Sequence, residues 1–195
     1  QVTRGVALRD HSFPPNTPAT IMAYATPLQA PASSTLEDGL AAVTVTDERW
    51  SRCHIKSISL IANVLARQRA RDAGAYEAIL VRDNWVMEGA ASNVFIVEQD
   101  ELVTPPQGPH LLSGVTRELL LELAQQHHIP CREQNISIQQ LRQAQEIWLT
   151  SSSREVLPVT VLDGAPVGRG KPGPVFRHML GLLQTFKKQA AHSES

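Results

Sequence analysis

One lysine, Lys56, stands at the edge of an apolar stretch of the sequence. It lies in RCHIKSISLIANVLARQ, residues 52–68, where isoleucine, leucine and valine side chains follow it closely. Most lysines in such a place are solvated, with the stem lying along apolar surface and the ammonium in water. The alternative is a reactive amine held in a pocket, where it can act as a nucleophile or a base.

A carboxylate, Glu88, is surrounded by small residues in VMEGAASNVFIV, residues 86–97. The glycine and alanines around it predict a short loop between two strands, and small side chains permit the close approach of a flat ring. The alternative is an ordinary turn residue.

Two hydroxyl-rich stretches could bind an anion. LLSGVTRELL, residues 111–120, opens a predicted helix, and a helix N-terminus offers free N–H groups and a positive dipole end. The simpler interpretation is N-capping by Ser113. WLTSSSRE, residues 148–155, ends a predicted strand with four hydroxyls, which could hold a phosphate or satisfy a turn.

Arg9 and His11 lie two residues apart in RGVALRDHSFP, residues 4–14. In an extended segment both side chains would point the same way and could grip a carboxylate. The alternative is an exposed basic loop. The motif GRGKPG, residues 168–173, matches a dinucleotide-binding pattern, but too little chain follows it for a βαβ unit, so we predict a loop into the last helix.

Composition excludes several classes of protein. The chain has 195 residues, 42% of them hydrophobic, and its 18 basic and 19 acidic side chains nearly cancel. This balance predicts a globular domain with no nucleic-acid partner, and no apolar run is long enough for a membrane span. Cys53 and Cys131 are far apart, so we expect no metal site and a reducing, cytoplasmic location.

The hydrophobic pattern predicts an α+β fold in which strands outnumber helices. Helices are expected over residues 59–73 and 113–128 and near the C-terminus, and a hairpin is expected at Asp163–Gly164. Residues 1–8 and 19–26 read as strands, and the Pro- and Ser-rich residues 27–39 read as a linker. The chain starts inside a strand-like pattern without an initiator Met, so we expect upstream residues.

An amine, an acid for a ring nitrogen and a helix-end phosphate site are together the requirements of pyridoxal phosphate. The four motifs HIKSISLIANVLARQRARDAGAYEAILV, EGAASNVFIV, LLSGVTRELLLEL and WLTSSSREVLPV resemble the class IV (fold type IV) pyridoxal-phosphate-dependent aminotransferases, most closely the D-amino-acid enzymes. The resemblance implies a large domain, residues 37–195, with a mixed, barrel-like sheet and flanking helices. It also implies a linker at residues 31–36, with residues 1–30 as a remnant of a small N-terminal α/β domain.

The resemblance also implies a role for each motif. Lys56 matches the lysine that bonds covalently to the cofactor, and Glu88 matches the acid paired with its pyridine nitrogen. Arg9 and His11 match the pair that traps the substrate carboxylate in D-amino-acid enzymes. The full set of implied cofactor-binding residues is Lys56, Glu88, Ala91, Ser92, Leu112, Val115, Thr116, Ser151 and Ser152.

Two departures and one gap qualify the match. His54 replaces the aspartate usual in D-amino-acid enzymes, and Ser152 replaces a threonine but keeps the hydroxyl. The family's small domain supplies a phosphate-binding arginine and an active-site tyrosine from a region ahead of residue 1, so neither can be assigned here.

The implied activity is ping-pong transamination between a D-amino acid, such as D-alanine, and a 2-oxo acid, such as 2-oxoglutarate, by a homodimer. The alternatives within the fold are aminodeoxychorismate lyase, branched-chain aminotransferase and (R)-amine transaminase. The non-enzyme alternative is a catalytically silent cofactor-binding or scaffold protein.

Overall fold

The structure is a computed structural model that describes residues 1–193, so residues 194 and 195 of the predicted large domain lie outside the described part. An exposed N-terminal segment carries a two-stranded antiparallel ladder of β1 (Val2–Thr3) and β2 (Thr20–Ile21). The strands predicted over residues 1–8 and 19–26 are therefore much shorter than expected. Their side chains are almost all exposed, so no burial drives longer pairing.

The rest of the described chain is a ten-stranded mixed sheet with five helices. The strands are β3 (Leu40–Thr46), β4 (Glu77–Arg82), β5 (Trp85–Gly89), β6 (Asn93–Glu98), β7 (Glu101–Thr104), β8 (Cys131–Glu133), β9 (Ile136–Ser137), β10 (Glu146–Ser151), β11 (Glu155–Leu162) and β12 (Ala165–Pro166). The helices are α1 (Ser33–Asp38), α2 (Ile61–Asp72), α3 (Val115–Gln126), α4 (Ile138–Gln143) and α5 (Pro174–Ser193). This composition confirms the predicted α+β class.

The strand order is β8-β7-β6-β10-β11-β3-β4-β5-β9, with β12 on β11 in the predicted hairpin. The pairs β11–β3, β3–β4 and β7–β8 are parallel and the others antiparallel, so the sheet is mixed, as expected. Helix α1 lies inside the Pro- and Ser-rich stretch of residues 27–39 and overlaps the interdomain linker expected at residues 31–36, and the domain boundaries stay predictions.

Both faces of the central strands are buried. In β6, Val94 and Ile96 join one apolar cluster, whereas Phe95 and Val97 join the cluster under α3 and α5. Because successive side chains of a strand point to opposite faces, a continuous apolar run is what a doubly covered strand requires. Helices α3 and α5 thus cover this face of the sheet, and the N-terminus of α3 borders the cleft described below.

The small residues of α2 let that helix lie close to the sheet. Ala66 and Ala70, four residues apart on one helix face, are buried against Ala78 and Leu80 of β4. The opposite face carries exposed apolar side chains such as Ile61 and Val64. Within residues 1–193, no helix is long and apolar enough to cross a bilayer.

The glycine-rich motif at residues 168–173 leads into α5 as predicted, without a second βαβ unit. Buried Glu146 accepts hydrogen bonds from the Val175 and Phe176 N–H groups at 3.0 and 2.8 Å. A Cβ on Gly173 would come within 2.0 Å of the Glu146 carboxylate. The glycine there makes room for a helix cap, which explains that part of the motif without any nucleotide.

Candidate active site

A cleft of about 700 Å³ opens where β10 ends, β6 begins and α3 starts. Asn93 and Thr150 both line it, because these two residues are paired across the antiparallel strands β6 and β10. The predicted site residues that line the cleft are Lys56, Glu88, Ala91, Ser92, Leu112, Thr116, Ser151 and Ser152. Four separate motifs, spread over almost one hundred residues, are thus brought to one place.

Lys56 is exposed and lies in the irregular segment that joins β3 to α2. This segment is tied down three residues earlier, where buried Cys53 donates its N–H to the Pro109 carbonyl at 2.7 Å and its thiol to the Trp50 carbonyl at 3.1 Å. The Lys56 amine therefore reaches the cleft from a loop that is fixed at its base. A solvated lysine and a reactive one are both compatible with exposure, but this one opens onto a cavity.

Glu88 lies at the end of β5 rather than in a loop, so the predicted position between strands is wrong. The pairing Trp85↔Arg82 starts β5 directly after a tight turn, and alternating burial makes the segment a strand. Glu88 is 5% exposed. Its Oε2 accepts the Asn93 Nδ2–H and the Leu112 N–H, both at 3.1 Å, and its Oε1 accepts a short hydrogen bond from Arg49.

Arg49 belongs to a buried cluster of charges behind Glu88. Its Nε and Nη2 donate to both oxygens of Asp47 at 2.9 and 3.0 Å, and Nη2 also donates to the His110 carbonyl at 3.0 Å. Arg82 donates to the Arg49 carbonyl at 2.7 Å and pairs with Asp47. The cluster has two arginines and two carboxylates, so its charges balance in the protein interior.

Burial raises the pKa of Glu88 above its ordinary value, although Arg49 and the Leu112 N–H act to lower it. For Asp47, burial also acts to raise the pKa, but the hydrogen bonds and charge of Arg49, helped by Arg82, outweigh it and leave the pKa below its usual value. Burial acts to lower the pKa of Arg49, but Asp47 and Glu88 raise it overall. The carboxylate nearest the cleft is thus the one whose charge is least well compensated.

The N-terminus of α3 reaches the cleft without a side-chain cap. Gly114 is the N-cap residue and has no side chain to accept a first-turn N–H. Ser113 does not cap the helix as the simpler interpretation expected, because its hydroxyl donates to Glu118 at 2.7 Å. A Cβ on Gly114 would lie 2.2 Å from Asn93 Oδ1, so glycine is needed for this close approach.

The hydroxyls at the end of β10 differ in their partners. Ser151 accepts the Arg154 N–H at 3.3 Å, which satisfies a turn, and Ser152 is exposed. The Thr150 hydroxyl is buried, lines the cleft and has no hydrogen-bond partner among the described residues. A buried hydroxyl without a partner is uncommon, and a bound polar molecule is one way to satisfy it.

Three predicted site residues do not line the cleft. Val115 is 72% exposed at the first position of α3, whereas its neighbours Gly114 and Thr116 are lining residues. Arg9 and His11 are exposed in the N-terminal segment, and they lie in a bend rather than in the extended strand that would align them. The His11 N–H donates to Asp10 at 2.7 Å.

Several residues of the site were not predicted from the sequence. Asn93 links Glu88 to the Leu112 carbonyl, at 3.1 and 2.8 Å. Asn63 of α2 lines the cleft and donates to the Ala90 carbonyl at 2.9 Å. The sequence contains a signal for one part of the site. Asp47 and Arg49 are two residues apart at the end of an apolar strand, so both side chains would point to the same face.

The model of the family Amino-transferase class IV matches residues 1–162 of the chain. Among curated relatives, the chain is 39% identical over 184 residues to a D-alanine aminotransferase of Bacillus licheniformis, covering 94% of this chain and 65% of that protein. It is 43% identical over 180 residues to a D-alanine aminotransferase of Staphylococcus haemolyticus, covering 92% and 64%. The chain thus spans just under two thirds of the length of these curated relatives.

Solved structures show the same architecture. The branched-chain amino acid aminotransferase of Escherichia coli matches with a TM-score of 0.75 and 29% identity, over 87% of this chain and 57% of that chain. A hypothetical aminotransferase of Mycobacterium tuberculosis, described as bound to alpha-ketoglutarate and PMP, matches with a TM-score of 0.68 and 28% identity, over 75% of this chain and 54% of that chain. These likenesses confirm the predicted fold of the large sheet and its helices.

Proposed function

Since this chain belongs to the class IV aminotransferases, we propose that its cleft binds pyridoxal phosphate and serves transamination between a D-amino acid, such as D-alanine, and a 2-oxo acid. The observation that carries the proposal is that Lys56, Glu88 and the hydroxyls of Thr116, Ser151 and Ser152 line one cleft. Relatives named as D-alanine aminotransferases support a D-amino acid as the substrate. The second candidate is branched-chain transamination, because a similar solved structure is named as a branched-chain amino acid aminotransferase.

The residues present fit this cofactor. Glu88 has accepted three hydrogen bonds, and a carboxylate offers about four acceptor positions, so one position remains for a ring N–H. The uncapped start of α3 and the hydroxyls at the end of β10 suit a phosphate dianion. The Thr150 hydroxyl, buried and without a partner among residues 1–193, is satisfied if a polar ligand fills the cleft.

Lys56 would hold the cofactor covalently through its amine, and Glu88 would keep a proton on the pyridine nitrogen. When bound, pyridoxal phosphate supplies an aldehyde that condenses with amines and a ring that accepts the electrons released at the substrate α-carbon. With a substrate amino acid in the cleft, the free Lys56 Nζ would act as the base that removes the proton from the substrate α-carbon. Leu112, Ala91 and Ser92 line the same cleft, and the small side chains of Ala91 and Ser92 would permit the close approach of a flat ring.

Arg9 and His11 remain our proposal for the substrate carboxylate, supported by their spacing and by the D-alanine names of the relatives. Homodimerisation also remains a proposal. Its support is a set of exposed apolar side chains close together in sequence, Ile58, Ile61 and Val64, which are 76%, 76% and 61% exposed and of which Val64 lines the cleft. Small-molecule partners and a cytoplasmic location are proposed on the same family grounds.

The deciding experiment is borohydride reduction of the protein incubated with pyridoxal phosphate, followed by peptide mapping. We expect a phosphopyridoxyl group on Lys56 and on no other lysine. An adduct spread over exposed lysines such as Lys171, with none on Lys56, would reject the proposal. A substrate panel of D-alanine, L-leucine, (R)-1-phenylethylamine and aminodeoxychorismate then separates the enzyme alternatives, and a bound cofactor whose absorbance responds to none of them indicates the silent binding protein.

A further inference from the structure

Arg49 contacts Glu88 directly but does not line the cleft. Its side chain is only 6% exposed. Arg49 follows the C-terminal end of β3 and contacts Glu88, which lies 39 residues later in the sequence. A residue that touches the acid but not the cleft can act only through the acid.

The guanidinium group is held on three sides. Asp47 accepts from Nε and Nη2, the His110 carbonyl accepts from Nη2, and Glu88 accepts from Nη1. This planar fork has little rotational freedom, and a single-point cation such as lysine could not make the same set of bonds. Arg49 is therefore fixed before any ligand arrives.

The same contacts determine which part of Glu88 is left for a ligand. Oε2 already accepts from Asn93 and Leu112, whereas Oε1 accepts only from Arg49. The remaining acceptor position is thus on Oε1, the oxygen that Arg49 orients. Loss of Arg49 would free that oxygen to rotate and leave a buried carboxylate without its cation.

We propose that Arg49 is a positioning residue, whose fork, anchored on Asp47, holds the Glu88 carboxylate as an oriented anion for a protonated ring nitrogen in the cleft. The inference rests on the proposed function, since it assumes a pyridine ring at Glu88. It predicts that Arg49 controls how strongly the protein prefers a ring nitrogen over a ring carbon. A purely structural role for Arg49 would change stability without changing that preference.

The test compares binding of two ligands to the full apo chain: pyridoxal phosphate and its 1-deaza analogue, in which carbon replaces the ring nitrogen. Both carry the aldehyde and the phosphate, so the ratio of their dissociation constants isolates the contact with Glu88. We expect the chain to prefer pyridoxal phosphate and Arg49→Gln to reduce the ratio about tenfold, the size of one hydrogen bond to a charged group. Arg132→Gln, which removes a partly exposed arginine paired with Glu98 and Glu101, is the control and should leave the ratio unchanged.

Arg49→Lys provides the second variant if Arg49→Gln does not fold. It keeps the charge but loses the fork, so we expect a smaller reduction, of about threefold. A ratio equal to that of the parent chain in either folded variant would overturn the role of Arg49 while leaving the proposed function intact. If the parent chain binds neither ligand, the proposed function itself fails, and this inference fails with it.

Discussion

The two walls of the cleft are built in opposite ways. On the acid wall, Glu88 is 5% exposed and accepts three hydrogen bonds, with a cluster of two arginines and Asp47 behind it. On the amine wall, Lys56 is exposed on an irregular segment, and the structure gives its amine no partner within residues 1–193. The chain itself supplies hydrogen-bond partners for the Glu88 carboxylate, whereas it leaves the Lys56 amine free to meet a ligand.

The physical chemistry of the two groups accounts for this difference. A buried carboxylate must be paired and hydrogen-bonded, because an isolated charge in the protein interior costs several kcal/mol. An amine that is to react must keep its nitrogen free of strong partners and able to move. The acid wall therefore has to be built before a ligand arrives, whereas the amine wall needs only a fixed loop.

The largest effect is expected from Lys56→Ala. Loss of the covalent anchor and of the α-proton acceptor should reduce D-alanine transamination by more than about 10³-fold, since proton transfer alone accounts for about 10²–10⁴. The measurement is turnover with D-alanine and 2-oxoglutarate, without added amine. Lys171→Ala, which removes an exposed lysine that does not line the cleft, is the matched control. Substantial turnover in the Lys56 variant would show that the amine wall has another nucleophile.

Glu88→Gln should affect chemistry more than cofactor retention. The amide cannot stabilise a positive ring nitrogen, so we expect kcat to fall about 100-fold, about 2.7 kcal/mol of transition-state stabilisation. The dissociation constant of pyridoxal phosphate should rise only about tenfold, the size of the lost ring-nitrogen contact, since the amine and the phosphate contacts remain. Equal losses in kcat and in cofactor affinity would mean that the acid wall serves binding alone.

Arg9→Ala tests whether the exposed N-terminal segment contributes to the amine wall of the cleft. If Arg9 holds the substrate carboxylate in both ground and transition state, KM for D-alanine and for 2-oxoglutarate should rise about tenfold with kcat nearly unchanged. Arg4→Ala removes the arginine that stacks on Phe13 in the same segment and serves as the control. An unchanged KM for both substrates would remove Arg9 from the site.

Residues that could bind or react by their own type were easier to predict from the sequence than the residues that support Glu88 on the acid wall. Lys56, Ser151 and Thr116 are recognisable from their residue types at the ends of predicted helices and strands, and all three line the cleft. Arg49 and Asn93 are not recognisable in this way. Their importance comes from hydrogen bonds to Glu88, which is 39 and 5 residues away in sequence and is brought close only by the folded sheet. The glycine and alanines around Glu88 predict a loop, whereas pairing of β5 with β4 makes Glu88 part of a strand.

The smallest effect, and the one most specific to the acid wall, is the pH dependence of stability. Because burial raises the pKa of Glu88 in the folded chain above its ordinary value of 4.5, the folded state binds the Glu88 proton more tightly than the unfolded state does. The contribution of Glu88 to the free energy of unfolding is therefore greatest below pH 4.5 and decreases as the pH rises toward the folded-state pKa.

Glu88→Gln removes this contribution, so its stability relative to the parent chain should increase with pH across that window, by at most about 1.4 kcal/mol for each pH unit. Asp47, whose lowered pKa gives a slope of opposite sign, is present in both proteins and largely cancels in the difference. Urea unfolding of both chains at several pH values between 4 and 7 measures it, and Glu37→Gln controls for loss of an exposed carboxylate. If the difference in the free energy of unfolding does not change over this pH range, Arg49 and its neighbours compensate the burial of Glu88 completely. The pKa of Glu88 is then not raised by the fold.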